Sequence, residues 1–96
     1  MKKVERFECN DTYEAEKLAG LTTVQRDNLT YIYDVADVIE NEVVIILKDG
    51  SCHSVILKDN NNAMRLRGVI AQIIEGKRTI YESSFEHFVA EIVLEE

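Results

Sequence analysis

The sequence predicts a small α+β domain, in which a three-stranded antiparallel meander over about residues 30–58 is packed by a helix over about 62–75. Three observations predict this fold. β-branched and aromatic residues alternate from Tyr31 to Ile39 and are followed by the apolar run 43–47. Asp49-Gly50 then separates two apolar runs, which is typical of a tight hairpin. Finally, apolar residues recur at helical spacing at 66, 69, 70, 73 and 74.

The Asp49-Gly50 turn also predicts a strand register. A two-residue loop pairs Leu47 with Cys52 and Ile46 with His53. Adjacent strand residues point to opposite faces of a sheet, so Cys52 and His53 cannot share a metal ion or act together as nucleophile and base. We therefore expect Cys52 to be a small core residue and His53 to be an ordinary strand residue.

The N-terminal third is predicted to hold a short strand and a short helix. Residues 3–9 fit the strand. Asp11 and Glu14 have the spacing of a capping box, which places a helix start at Thr12. Gly20 suits the residue that ends a helix, so the helix is expected over 12–19, with a loop over 21–29.

The C-terminal segment allows two interpretations. After the helix over 62–75, for which Asn61 or Asn62 is the expected N-cap, residues 79–82 fit a short strand. Ser83 and Glu86 then have capping-box spacing, and apolar residues at 85, 88, 89, 92 and 93 favour a C-terminal helix over about 84–95. A strand is the alternative, because alternate residues from Phe88 to Leu94 are apolar.

Length and charge exclude several classes of function. A chain of 96 residues predicts one domain over 1–96. The net charge of −7 disfavours direct binding to nucleic acid or anionic lipid and favours a basic partner. No apolar run reaches the length of a membrane helix, and the N-terminus lacks the apolar stretch of a signal peptide. Cytoplasmic location is expected, which includes a host cytoplasm if a mobile element encodes the protein.

No motif for catalysis or cofactor binding occurs in the chain. The glycine-rich phosphate loops and the G-x-S-x-G nucleophile motif are absent, and two cysteines and two histidines do not have zinc-site spacing. We therefore expect a protein that is not an enzyme and that needs neither a cofactor nor a metal ion.

The acidic residues carry the functional hypothesis. Carboxylates two residues apart on one strand face repeat at roughly 6.6 Å, comparable with neighbouring phosphates of a nucleic-acid strand. We expect an inhibitor of a larger basic protein that handles nucleic acid, of the phage or plasmid type that blocks CRISPR or restriction enzymes by nucleic-acid mimicry. The predicted partner-binding residues are Asp34, Asp37, Glu40, Glu42, Glu91 and Glu95.

Two other hypotheses fit the same properties. An antitoxin or immunity-type protein is also small, acidic and free of catalytic motifs. A homo-oligomeric structural module is the other alternative. The chain has no proline to interrupt its strand edges, and this favours a homodimer.

Overall fold

The computed structural model describes all 96 residues. Two helices and six strands follow one another along the chain. Their order is β1 (Lys2–Glu8), α1 (Thr12–Asp27), β2 (Ile32–Val35), β3 (Glu42–Leu47), β4 (Cys52–Ile56), α2 (Asn60–Ile74), β5 (Thr79–Glu86) and β6 (Val89–Glu95).

The strands form two three-stranded antiparallel sheets. Sheet 1 has the order β1-β6-β5, and sheet 2 has the order β2-β3-β4. The sheets meet at a single bridge between Cys9 and Leu57. Beside it, Lys58 N donates to Glu8 O at 2.9 Å and Asn10 N donates to Ile56 O at 2.9 Å. This junction joins sheet 1, which contains the first and last strands, to the meander of sheet 2.

Each helix packs mainly on one sheet, and one continuous core runs between them. Helix α1 contacts β5 and β6, whereas α2 contacts β2 and β3. Phe7, Leu18, Ile45, Leu66 and Ile92 are fully buried and belong to the same cluster of apolar side chains. The chain is therefore an α+β fold built around a shared core, and each sheet leaves its other face open.

The predicted meander and its helix are confirmed. Strands β2, β3 and β4 lie within residues 30–58, and α2 starts two residues before the predicted helix and ends one residue before its predicted end. Asp59 is the N-cap of α2 instead of Asn61 or Asn62, because its carboxylate accepts from Asn62 N at 2.8 Å.

The predicted hairpin register is wrong by one residue. Ile46 pairs with Cys52, and Ile45 pairs with His53. Leu47 N donates to Ser51 O at 2.9 Å and Gly50 N to Leu47 O at 3.0 Å, so the loop has three residues. Gly50 has a φ of 90°, and Asp49 is not in the positive-φ region that a two-residue type I′ turn requires.

Helix α1 continues past the predicted end at Gly20. Its second half places Leu21, Thr22 and Gln25 in buried positions. Thr22 Oγ1 donates to Leu18 O at 2.9 Å, and Gln25 Oε1 accepts from Ile32 N at 2.8 Å. Packing and these bonds therefore outweigh the intrinsic preference of Gly20 for a helix end.

The favoured C-terminal helix is wrong, and the alternative strand is correct. β5 extends from the predicted 79–82 to Glu86 and turns into β6 through His87, which has a φ of 54°. Ala90, Ile92 and Leu94 are fully buried on the inner face of β6. β6 is the central strand of sheet 1, and this pairing on both sides favours the extended conformation over a helix.

Neither helix is long and apolar enough to cross a membrane.

Candidate functional site

The predicted acidic residues lie in three separate places. Glu91 and Glu95 are on the outer face of β6 in sheet 1, and Asp34 and Glu42 are on the outer face of sheet 2. Asp37 and Glu40 belong to the segment that connects β2 to β3. The six residues therefore do not form one surface.

A row of four glutamates follows the open face of the β5–β6 hairpin. The register pairs Glu86 with Val89, Ser84 with Glu91, Glu82 with Val93 and Thr79 with Glu95. Each glutamate is thus a diagonal neighbour of the next, in the order Glu86, Glu91, Glu82 and Glu95. We call these four residues the glutamate row.

The spacing of the glutamate row follows from sheet geometry. Diagonal neighbours on adjacent antiparallel strands are about 7–8 Å apart at their Cα atoms. A β-bulge at Tyr81 keeps Glu82 on the outer face although Ile80 points inward. The backbone positions of the four glutamates therefore advance along the sheet in steps of about 7–8 Å.

Two cations of β1 lie beside the glutamate row. Arg6 Nε is 2.8 Å from Glu91 Oε2, in a pair of side chains that are 70% and 36% exposed. The Lys2 ammonium lies 3.8 Å from the centre of the Tyr81 ring. The only basic group paired with Glu86 is His87 at 3.9 Å, while Glu82 and Glu95 form no ion pair. Most of the row is therefore free to accept hydrogen bonds from another molecule.

The outer face of sheet 2 is mainly aliphatic, unlike the outer face of sheet 1. Its centre is formed by the half-buried side chains of Val44, Ile46 and Ile56. No lysine or arginine occurs in β2, β3 or β4. The carboxylates at its rim are already engaged, because Glu42 Oε2 accepts from Ser54 Oγ at 2.5 Å and Asp34 Oδ1 accepts from Val35 N at 2.8 Å.

Asp37 and Glu40 are tied to α2. Asp37 Oδ1 is 3.2 Å from the guanidinium of Arg67, and the backbone oxygen of Glu40 accepts from Asn60 Nδ2 at 2.6 Å. Glu40 has a φ of 57°. These contacts hold the connecting segment against the start and the middle of α2.

The Cys52-His53 pair has no catalytic geometry. Cys52 is exposed, so its predicted place in the core is wrong, and the one-residue shift in register is the reason. His53 Nε2 lies 3.1 Å from Ser51 Oγ, which itself donates to Asp49 Oδ1 at 2.6 Å. The hydroxyl hydrogen of Ser51 is therefore committed to Asp49, and His53 must act as the donor to Ser51.

The buried thiol is equally unsuited to nucleophilic chemistry. Burial, together with the negative charge of Glu14, raises the pKa of Cys9 to about 11. The thiolate is the reactive form, so Cys9 stays unreactive near neutral pH. No group of three or more metal-ligating side chains occurs in the fold.

The sequence shows several acidic residues near the C-terminus, but the predicted helix does not align them. The capping-box spacing of Ser83 and Glu86 predicts a helix start, and a helix would distribute the carboxylates around its axis. The alternation of Glu82, Ser84 and Glu86 with Ser83 and Phe85 is the signal that could have revealed the row.

Comparisons of the chain with protein-family models, curated proteins and solved structures give no match.

Proposed function

We propose that this protein is a binding protein without catalytic activity that docks on the basic groove of a larger nucleic-acid-handling protein and inhibits it. The glutamate row is the observation that carries the proposal. Its four carboxylates are spaced along one open sheet face, as the phosphates of a nucleic-acid strand are spaced along their backbone. Restriction and CRISPR enzymes are the expected class of target.

The electrostatic part of the proposal follows from the whole charge distribution. A formal net charge of −7 creates a field that attracts a basic groove, and the row presents that charge in an ordered form. The β5–β6 hairpin fixes the backbone positions of the glutamates before binding. Less conformational entropy is then lost on docking than with a flexible acidic tail.

The row fits the proposal better than the acidic residues around sheet 2. Asp37 already has an arginine partner, and Asp34 and Glu42 accept internal hydrogen bonds. A carboxylate that gives up an internal bond for a partner gains less from the exchange. In the row, Glu91 has Arg6 as its partner, but Glu82 and Glu95 lose no such bond.

An inhibition panel tests the proposal. Purified protein is added to DNA cleavage reactions of several restriction and CRISPR nucleases, with and without excess uncut competitor DNA. We expect inhibition of at least one nuclease, with order-of-addition behaviour in which pre-bound DNA protects the enzyme. If no nuclease is inhibited, or if inhibition is unaffected by pre-bound DNA, the mimicry proposal is contradicted.

Matched variants locate the docking surface in the same panel. One variant carries Glu82→Gln, Glu86→Gln, Glu91→Gln and Glu95→Gln. The other carries Asp34→Asn, Asp37→Asn, Glu40→Gln and Glu42→Gln, so both lose the same number of negative charges. The proposal expects inhibition to be lost in the first variant and retained in the second.

A further inference from the structure

The two sheets have four edge strands, and the edge of β1 is covered at Arg6 and Glu8. Arg65 Nη2 donates to Arg6 O at 2.5 Å, and Asn62 Oδ1 accepts from Glu8 N at 3.0 Å. The chain between β4 and α2 adds the bond from Lys58 N to Glu8 O. Covering an edge in this way prevents it from pairing with another strand.

Both edges of sheet 2 are also covered in part by side chains of α1. On β4, Lys17 Nζ donates to Ser54 O at 2.6 Å and Glu14 Oε1 accepts from Ile56 N at 2.9 Å. On β2, Gln25 Oε1 accepts from Ile32 N at 2.8 Å. Helix α1 therefore supplies bonds that a neighbouring strand would otherwise make.

The edge of β5 has no such cover. No side chain or loop hydrogen-bonds to the backbone of Thr79–Glu86, and the one side-chain hydrogen bond of this strand joins the Thr22 and Ser83 hydroxyls at 2.7 Å. Glu86 and Val89 close a two-residue hairpin, so their pair exchanges both ladder bonds. The alternate residues Ser83 and Phe85 therefore direct their N–H and C=O groups away from β6.

A groove runs beside this free edge. It has a volume of about 340 Å³ and lies between α1 and β5, where Glu16, Gly20 and Thr23 face Ser83 and Phe85. No lysine or arginine lines it. Glu16 on one side and Glu82 and Glu86 on the other give the edge a negative charge.

We propose that the β5 edge accepts an extended, lysine- or arginine-bearing segment of the basic partner as an added strand. This inference rests on the proposed function for the nature of the partner and adds how the partner is held. The bulge at Tyr81 interrupts the edge, so the added strand pairs with Glu82–Glu86. Its backbone bonds go to Ser83 and Phe85, and its basic side chains, all on one face of the added strand, reach Glu82 and Glu86.

Charge favours a basic segment over a second copy of this chain. Antiparallel pairing of two β5 strands would bring Glu82 and Glu86 of one copy close to the same residues of the other. Like charges on neighbouring strands are destabilising. A lysine-bearing segment is attracted to the same carboxylates, because its side chains carry the opposite charge.

A pair of synthetic peptides separates strand pairing from charge attraction. The probes are Lys-Val-Lys-Val-Lys-Val-Lys and the same sequence with N-methylated valines, which keeps the charge but removes backbone donors. Nuclear magnetic resonance titrations of the isotope-labelled protein give the affinities and the amide exchange rates. We expect the unmodified peptide to bind about tenfold or more tightly than the N-methylated one and to slow amide exchange at Ser83 and Phe85.

Three results would overturn the edge assignment. Equal affinities for the two peptides mean that charge alone attracts them, which leaves the docking proposal standing. Absence of binding by the unmodified peptide rejects the edge directly. Sedimentation as a dimer that Phe85→Pro converts to a monomer makes a second copy the occupant of the edge.

Variants at Phe85 remove a backbone donor from the protein, as N-methylation removes donors from the peptide. Phe85→Pro removes the outward N–H without breaking a bond to β6, and proline is tolerated on such an edge. Phe85→Ala removes the ring and keeps the N–H. We expect the proline variant alone to lose preference for the unmodified peptide, provided that thermal unfolding shows both variants to be folded. Inhibition in the nuclease panel is a separate readout, so either proposal can fail while the other stands.

Discussion

The two sheets of this protein leave open faces that are both acidic but are built differently. The outer face of sheet 1 carries the glutamate row, flanked by Arg6 and Lys2 on β1. The outer face of sheet 2 has an aliphatic centre and carboxylates that accept internal hydrogen bonds. The same residue type thus supports the fold on one sheet and is available to a partner on the other.

Because the two faces differ in this way, a count of acidic residues does not locate a binding surface. Asp34, Asp37 and Glu42 look as promising in the sequence as Glu82 and Glu95. What separates them is whether the fold already provides a donor for each carboxylate. Free carboxylates at regular spacing are the ones that can exchange water for a partner's cations with little loss.

The largest expected effect is a loss of stability in sheet 2, and it shows whether the outer face of this sheet is open to solvent. Ile45 is fully buried, whereas the adjacent Ile46 is half-buried on the outer face. We expect Ile45→Ala to lower the free energy of unfolding by about 2–5 kcal/mol and Ile46→Ala by less than about half as much. Urea denaturation measures both. Equal losses would mean that the outer face is covered.

The next largest effect is expected at the covered edge of β4. Glu14→Ala removes the acceptor of Ile56 N and the ion-pair partner of Lys17 at 3.0 Å. We expect a loss of about 1–3 kcal/mol, because a buried donor is left without a partner. Glu16→Ala on the exposed side of the same helix is the control, with an expected change within about 0.5 kcal/mol. Similar values for the two variants would remove the edge-covering role of Glu14.

The hairpin turns of the two sheets should respond in opposite directions. Gly50 and His87 both have positive φ, at 90° and 54°. Gly50→Val should cost more than about 1 kcal/mol, because a β-branched residue is strained there. His87→Gly should stabilise the protein by about 0.5 kcal/mol, because relief of the left-handed conformation slightly exceeds the entropy cost of glycine. Thermal unfolding of the two variants checks the signs, and a Gly50→Val protein as stable as the wild type would contradict the turn geometry.

The smallest effect concerns the two thiols and does not involve stability. Cys52 is exposed on sheet 2, while Cys9 is buried at the junction of the sheets with a pKa of about 11. Iodoacetamide at mildly alkaline pH should modify Cys52 first and leave Cys9 intact until the protein unfolds. Peptide mass spectrometry identifies the modified residue. Early labelling of Cys9 would place the junction in solvent.

Sequence patterns predicted correctly those helices and strands for which the intrinsic preference of the residues and the tertiary packing favour the same conformation. Helix α2 follows its apolar spacing, and the meander follows its β-branched runs. Prediction failed where tertiary contacts decide. Gly20 stays helical because Thr22 and Gln25 are held by buried contacts beyond it.

The candidate site was only partly predictable for the same reason. Acidic groups near the C-terminus are visible in the sequence, and Glu91 and Glu95 were identified from them. Their alignment with Glu82 and Glu86 depends on the register of β5 against β6. That register is set by a turn at His87, where no glycine or asparagine signals a positive φ.

The association rate with an inhibited nuclease tests the central claim most directly. Surface plasmon resonance from about 50 mM to about 300 mM salt compares wild type with the two fourfold neutralised variants. We expect loss of the glutamate row to slow association by about tenfold or more at low salt, with a smaller change in dissociation, because the row steers the encounter. The variant at Asp34, Asp37, Glu40 and Glu42 should stay within about threefold of wild type. Equal slowing by both variants, or an association rate that does not depend on salt, would contradict a docking role for the glutamate row.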